Sequence, residues 1–255
     1  MYTNWKTATG TCSDERHYVT SPFRTRPIAR GSVTCGLALL FAAVSTTSGL
    51  DAKVSYPTMA PVEQYRMANR SEEIALARTA APASISNDAD VMVLGASGYE
   101  TVVKGKNGFV CFVERSWAAF FDDPVFWNYK NRSPNCFNPA AVRSVLPALL
   151  ERTQWVLAGV SKAEMETRTK TSAAANKVPE PGSLSYMLSK QGYLNDADGH
   201  WHPHLMFFMS RTTAASWGAN LPGSPVFASE GGPNQTTTFY VPVAKWSDGT
   251  SDVKD

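Results

Sequence analysis

The sequence carries almost no net charge outside its first 52 residues. The whole chain has 24 Lys/Arg and 22 Asp/Glu, and the first 52 residues contain five of the basic and three of the acidic side chains, so residues 53–255 are neutral. Nucleic-acid binding depends on clustered cations that displace counterions from phosphates. We therefore expect neither nucleic acid nor a strongly anionic membrane as the main partner.

The familiar catalytic motifs are also missing. The sequence contains no GxSxG elbow, no HExxH, no Walker loop and no GxGxxG after a strand. Its SxxK match, SDVK at residues 251–254, is not accompanied by KTG. Acidic pairs such as Asp122/Asp123 are adjacent in the chain, so they do not converge on one bond as acid–base catalysis requires. No reaction type can be assigned from motifs.

A targeting segment is present near the N-terminus. Arg24, Arg26 and Arg30 precede the apolar run VTCGLALLFAAV at residues 33–44, and small residues follow. This order is typical of a secretory signal peptide, and the run is shorter than the roughly 20 residues that span a bilayer. A buried helix of the folded domain is the alternative, but the run lacks a polar face. We predict a leader over residues 1–52.

Cleavage of that leader, after Ser45, Gly49 or Ala52, would release a soluble bacterial protein into the periplasm or medium. No later apolar run is long enough to span the membrane.

Cysteine is scarce, and only Cys111 and Cys136 follow the leader. In an oxidising compartment a lone pair of cysteines usually forms a disulfide, which over this loop would stabilise the fold by roughly 3 kcal/mol. The alternative is a catalytic thiol. Neither cysteine has a histidine close in sequence, and Cys111 lies in the apolar run GFVCFVE, where a thiol is unreactive. The pattern favours a disulfide.

Hydrophobic periodicity predicts a single α+β domain over residues 53–245 and a mobile tail at 246–255. The expected order is a helix, an antiparallel meander of three strands, two helices and three further strands. We therefore predict an antiparallel sheet of about six strands with the helices on one face. The helices are predicted at 61–80, 140–160 and 161–177, and the strands at 90–95, 99–105, 109–117, 183–189, 204–210 and 236–246.

Several local signals support these assignments. Asn107-Gly108 is the typical type I′ hairpin turn, and the strand that follows is apolar on both faces, which indicates a central position. Pro147 should break its helix, and Ser161 with Glu164 forms a capping box. Pro242 predicts an edge strand.

Three of the four histidines lie at alternate positions in NDADGHWHPHLMFF, residues 195–208. In an extended chain His200, His202 and His204 share one face, and such imidazoles can ligate a divalent transition metal such as zinc, copper or iron. The turn chemistry of NDADG and the presence of Pro203 favour structural histidines instead. An unliganded catalytic histidine is the third possibility.

An aromatic segment at residues 117–129 is the second candidate site. Residues 119–139 contain three prolines and repeated Asn and Asp, which predicts a long ordered loop. The aromatic side chains could pack over the sheet as a lid on the core, or they could face a ligand. If the loop meets the histidine hairpin, an apolar pocket with a few polar groups would form. The candidate ligand-binding residues are Trp117, Phe121, Trp127, Tyr129 and, from the hairpin, Trp201.

Three functions fit these features. The first is an exported protein that binds a small ligand or metal ion near His200–His204 and the aromatic loop. The second is a secreted metal-dependent hydrolase or oxidoreductase that uses His202 and His204. The third is a structural interaction protein. The neighbouring Glu114 and Arg115, at the end of a buried strand, are interpreted as a structural ion pair or a polar contact at the end of the sheet rather than as catalytic residues.

Overall fold

The computed structural model describes residues 56–172, 177–196, 199–232 and 236–252. The predicted leader and Asp198 lie outside these ranges. None of the helices in the described ranges is long and apolar enough to cross a membrane.

Six α-helices and eight strands make up the described part of the chain. The helices are α1 (Val62–Tyr65), α2 (Arg70–Arg78), α3 (Ala83–Ser86), α4 (Pro139–Ser144), α5 (Leu146–Leu157) and α6 (Lys162–Thr171). The strands are β1 (Asp90–Gly95), β2 (Gly98–Val103), β3 (Val110–Glu114), β4 (Ser133–Phe137), β5 (Leu184–Met187), β6 (His204–Ser210), β7 (Phe227–Gly232) and β8 (Thr236–Pro242). Short 3₁₀ turns lie at Ser116–Ala118 and Ala214–Trp217.

The strands form one sheet in the order β2-β1-β3-β4-β5-β6-β8-β7. All neighbours are antiparallel except β1 and β3, which are parallel. The α+β class is confirmed, but the prediction of about six strands is wrong. Strand β4 has the sequence SPNCF and β7 ends in two glycines, so neither shows the alternation that identifies a strand. Pairing with neighbouring strands, not local propensity, makes these segments extended.

The predicted three-strand meander is also wrong, because the chain crosses the end of β1 instead of turning back on β2. After β2, the amides of Lys106 and Asn107 both donate to Asp88 O. A Cβ on Gly105 would lie 2.0 Å from that same oxygen, so only glycine permits this close crossing. Gly108 has a φ of 75°, but Asn107 lacks the positive φ of a type I′ turn. Strand β3 therefore enters beside β1 and parallel to it.

The helices cover both faces of the sheet, not the single face expected. The apolar residues of α2 pack on the face that carries Val91 and Cys111. Helices α4 and α5 pack on the opposite face, which carries Met92 and Phe112. These two strand pairs are consecutive in register, so they point to opposite sides. The central position predicted for β3 is confirmed, because it lies between β1 and β4 with helices above and below.

Side-chain caps begin three of the six described helices, α2, α4 and α6. Asn69 accepts from the amides of Ser71 and Glu72 and begins a new helix, which divides the predicted helix at 61–80 into α1 and α2. Pro147 lies in the first turn of α5, directly after the break from α4, as expected. Ser161 caps α6 by accepting from Glu164 N.

The C-terminal strand is not the edge of the sheet. Strand β8 lies between β6 and β7 and contains Pro242 only as its last residue. The segment predicted as a mobile tail contacts the domain as far as it is described. Trp246 is buried, and Ser247 N donates to Leu188 O.

The predicted disulfide is confirmed. Cys111 and Cys136 are directly opposite each other on β3 and β4, are fully buried and are bonded to each other. They are 25 residues apart, so the bridge holds together the two central strands that flank the long loop. Oxidised cysteines of this kind are typical of proteins that fold outside the cytosol.

A buried ion pair joins the sheet to α2. Arg115 Nη2 lies 2.7 Å from Glu73 Oε1, and the two side chains are 0% and 2% exposed. The guanidinium also donates from Nε to Tyr65 O at 2.6 Å and from Nη1 to Val113 O. Glu73 Oε1 in turn accepts from Leu94 N at 3.2 Å. Arg115 is thus part of a structural ion pair, but its partner is Glu73 and not its neighbour Glu114.

We expect Arg115→Met to lower the free energy of unfolding by about 3–5 kcal/mol, because Glu73 would keep an uncompensated charge in the interior. The matched control is Arg70→Met, which breaks an ion pair with Glu100 in which both side chains are more than half exposed, and should cost less than about 1 kcal/mol. Urea denaturation measures both. The double variant Arg115→Met/Glu73→Leu should recover part of the lost free energy of unfolding. Equal losses in Arg115→Met and Arg70→Met would contradict this account.

Candidate functional site

The aromatic side chains of residues 117–129 pack mainly into the core. Trp117 and Trp127 are buried in a cluster with Tyr65, Val156 and Met165. The Trp117 indole donates to Thr153 Oγ1 on α5 at 3.0 Å. Phe121 and Tyr129 pack on the outside of this cluster and are only partly buried. The arrangement resembles the lid alternative, and ligand contact by these four residues stays a prediction.

The end of the aromatic loop meets the turn that precedes the histidines. Lys130 Nζ lies 2.9 Å from Asp196 Oδ1, and the hydroxyls of Tyr56 and Tyr193 also donate to this carboxylate. These hydrogen bonds, first that from Tyr193, lower the pKa of Asp196 to about 2. Asn131 Nδ2 adds a bond to Leu194 O at 3.1 Å. The loop and the hairpin are therefore in contact, as one sequence hypothesis required.

The three histidines lie in different environments. His200 is exposed, and its Nδ1 is 2.8 Å from Trp201 O. His202 is also exposed, with Nδ1 2.5 Å from Asp252 Oδ2. His204 begins β6, is buried, and bonds through Nδ1 to His202 O at 2.7 Å. Burial lowers the pKa of His204 to about 4, so this imidazole is neutral at physiological pH.

A metal site is not formed by the residues that are described. Within ranges 56–172, 177–196, 199–232 and 236–252, no three His, Cys, Asp or Glu side chains are grouped so that they could hold an ion. Asp198, which sequence spacing places beside the histidines, lies outside those ranges. Metal binding by His200, His202 and His204 therefore stays a prediction.

A group of polar side chains lies on the α5 face of the sheet, and the sequence predicted only one of them, His204, as a site residue. Register partners share a face, and so do residues two apart on one strand. From β3 to β4, Phe112 is opposite Asn135. From β4 through β5 and β6 to β8, Phe137 is opposite Ser185, Ser185 is opposite Met206, and Met206 is opposite Tyr240. Met187 on β5 is also opposite His204 on β6. The polar residues that share this face include Glu114, Asn135, Ser185, His204 and Tyr240.

Glu114 is the most unusual member of this group. Its Oε1 accepts from Asn135 Nδ2 at 3.1 Å, and no described Lys, Arg or His lies within ion-pair distance of it. Burial raises the pKa of Glu114 to about 7, with the bond from Asn135 and the charge of Arg152 acting in the opposite direction. The residue as a whole is only partly buried.

Glu114 and Tyr240 lie on well-separated strands of this polar face. Tyr240 on β8 is four strands away from Glu114 on β3, a separation of about 19 Å in a flat sheet at about 4.8 Å per strand. Burial raises the pKa of the Tyr240 phenol, and the charge of Glu114 acts in the same direction. Because charges interact most at short distance, we interpret this influence as curvature of the sheet, which would make this face concave.

Two buried polar atoms on this face, an amide oxygen and a hydroxyl, have no hydrogen-bond partner among the described residues. They are Asn135 Oδ1 and Ser185 Oγ, and both residues are 0% exposed. A buried polar atom without a partner costs about 1–3 kcal/mol, so native proteins rarely keep one unless it meets a ligand or ordered water. A polar ligand on this face would form its most favourable hydrogen bonds with these two atoms.

Apolar side chains border the polar group on two sides. Leu149 and Leu150 of α5 pack with Phe112, Phe137 and Phe208 on one side. Trp201 packs with Met187, Met206, Phe208 and Tyr240 on the other. Trp201 is held rigidly, because its Nε1 donates to Met187 O at 3.2 Å and a Cβ on Gly192 would lie 2.2 Å from its ring. Among the sequence-predicted residues, Trp201 and His204 border this face.

No family model, curated protein or solved structure matches this chain. Its function must therefore be inferred from the geometry of the site. An apolar concavity with a few convergent polar groups, one of them a carboxyl with a perturbed pKa, is the usual form of a small-molecule site.

Glu114→Gln should change how stability depends on pH. The folded pKa of Glu114, about 7, exceeds its ordinary value of 4.5, so the wild type should lose stability relative to the variant as pH rises from about 4.5 through 7. The loss should be on the order of 3 kcal/mol. The lowered pKa of His204 acts in the opposite direction but is present in both proteins, so it cancels in the difference. Urea denaturation at pH 4, 6 and 8 measures the free energy of unfolding of both proteins. A difference between wild type and variant that does not change with pH would contradict the raised pKa of Glu114.

The metal hypothesis has its own measurement. If His202 and His204 hold zinc, copper or iron, the purified untagged protein should carry close to one ion per chain by mass spectrometry. The ion should be lost in His202→Ala/His204→Ala. Absence of metal, together with no thermal shift on adding zinc or copper, would overturn the hypothesis.

Proposed function

We propose that this protein is an exported protein that binds a small, partly apolar molecule on the concave face of its sheet. The observation that carries the proposal is the presence on one face of two buried polar atoms without a partner among the described residues, Asn135 Oδ1 and Ser185 Oγ, together with Glu114, which is only partly buried. A ligand that hydrogen-bonds to these atoms would remove their desolvation cost, so binding energy is available at this place.

The walls of the face support a ligand with an apolar part. Phe208 and Tyr240 are half-buried and Trp201 closes one end. Burial of such apolar surface against a ligand contributes roughly 25 cal/mol of binding free energy per Å² buried. The rigid attachment of Trp201 supports a preformed site, because little side-chain freedom would be lost on binding.

Export is supported by two independent features. The Cys111–Cys136 disulfide is typical of proteins that fold in an oxidising compartment. Residues 24–52 have the basic, apolar and small-residue order of a secretory signal.

The binding test uses 1-N-phenylnaphthylamine, a neutral probe that fluoresces when it leaves water for an apolar site. We expect saturable binding by the wild type and at least a tenfold weaker Kd for Ser185→Met, which adds volume to the concave face. The matched control is Leu205→Met on the opposite face, which should bind as the wild type does. Thermal melts establish that each variant is folded.

Tyr240→Trp serves as a second blocking variant, since Tyr240 is half-buried and tolerates more volume than Ser185 does. The proposal of a ligand site on this face would be contradicted if the wild type did not bind the probe. It would also be contradicted if neither blocking variant weakened binding.

A further inference from the structure

We infer that the ligand carries a protonated amine, which Glu114 binds, next to an apolar body that lies against Trp201 and Phe208. This inference rests on the proposed ligand site. It adds the chemical class of the ligand, and it assigns to Glu114 the role of selecting that class.

Every polar side chain named on this face can accept a hydrogen bond. Asn135 Nδ2 donates to Glu114, and Asn135 Oδ1 is a buried acceptor with no partner among the described residues. The Ser185 and Tyr240 hydroxyls can accept as well as donate, and the ionised carboxylate of Glu114 can only accept. An ammonium group has three N–H donors and no acceptor, so it matches this set, whereas a carboxylate or phosphate ligand would face like charge.

Among the described residues, no cation forms an ion pair with Glu114. The charge of Arg152 reaches Glu114, but the Arg152 guanidinium donates to Trp117 O and Ala119 O at 3.0 and 2.9 Å and lies over the Phe121 ring. The other groups whose charge interacts with Glu114 are phenols, Tyr99 from β2 and Tyr240 from β8. A carboxyl that is largely removed from water and has no paired cation favours the binding of a cationic ligand.

Binding of an ammonium group should release a proton near neutral pH. Burial keeps the Glu114 carboxyl partly protonated at pH 7, because its pKa is about 7, and an adjacent cation favours the ionised form. Affinity for an amine should therefore rise as pH increases from 6 to 8, while affinity for a neutral analogue should not change. His204, also on this face, stays neutral over that range.

The test compares benzylamine with benzyl alcohol, which has nearly the same shape and no charge, and with benzoate. Titrations followed by amide NMR should give the wild type a Kd for benzylamine at least tenfold below that for benzyl alcohol, with no binding of benzoate. In Glu114→Gln the preference for the amine should fall below twofold. Glu100→Gln removes an exposed carboxylate from β2 and serves as the charge-matched control, which should keep the full preference.

The outcomes separate the two proposals. Binding of 1-N-phenylnaphthylamine on the concave face without a preference for the amine, or with a preference that persists in Glu114→Gln, overturns the amine inference and leaves the ligand site standing. Loss of preference in Glu114→Gln alone, together with a preference that grows from pH 6 to 8 in the wild type, supports the inference. Failure of the probe to bind this face would overturn both.

Discussion

The buried pair of Arg115 and Glu73 is the interaction on which the arrangement of helices and sheet depends. It connects the end of β3 to α2, and its further bonds reach the carbonyl of Tyr65 at the end of α1 and the amide of Leu94 on β1. Four separate segments thus share one charge-assisted network. Removal of either charge would leave the other uncompensated in the interior, where the cost is several kcal/mol.

This pair also determines where Glu114 points. Successive residues of a strand face opposite sides of the sheet, so the position of Arg115 under α2 directs Glu114 to the α5 side. Glu73 and Glu114 are both removed from bulk water, but Glu73 meets a guanidinium at 2.7 Å and Glu114 meets only an amide donor and a distant charge. One carboxylate is compensated within the fold, and the other retains the capacity to bind a cation or a proton.

Curvature of the sheet turns a set of separate polar residues into one candidate site. Asn135, Ser185 and Tyr240 lie on three different strands, and none is adjacent to Glu114 in the sequence. The Cys111–Cys136 bridge holds β3 and β4 together on the opposite side of the sheet from the polar residues. Trp201 closes the far end, held by its bond to Met187 O and by the absence of a side chain at Gly192.

Local signals predicted those features that depend on short stretches of chain. The α+β class, the boundaries of β1 and β6, the break at Pro147, the cap at Ser161 and the pairing of the two cysteines follow from periodicity, capping chemistry and cysteine count. The histidine alternation drew attention to the segment that contains Trp201 and His204, both of which lie at the candidate site. It did not reveal that His200 and His202 are exposed while His204 is buried, because that difference arises from contacts with β8 and with residues 246–252.

Tertiary structure alone decided the strand order, the two extra strands and the candidate site. Strand β4 is extended because it pairs with β3 and β5, although its own residues, SPNCF, are typical of a loop. The crossing of β1 at Gly105, which makes β3 parallel to β1, depends on an approach between backbone segments that are distant in sequence. The environment of Glu114 likewise requires the whole curved sheet, because the pKa of a carboxyl is determined by burial and by charges that other strands and helices bring near it. Sequence determined which segments could form helices, strands and a disulfide; only long-range packing decided which side chains face one another.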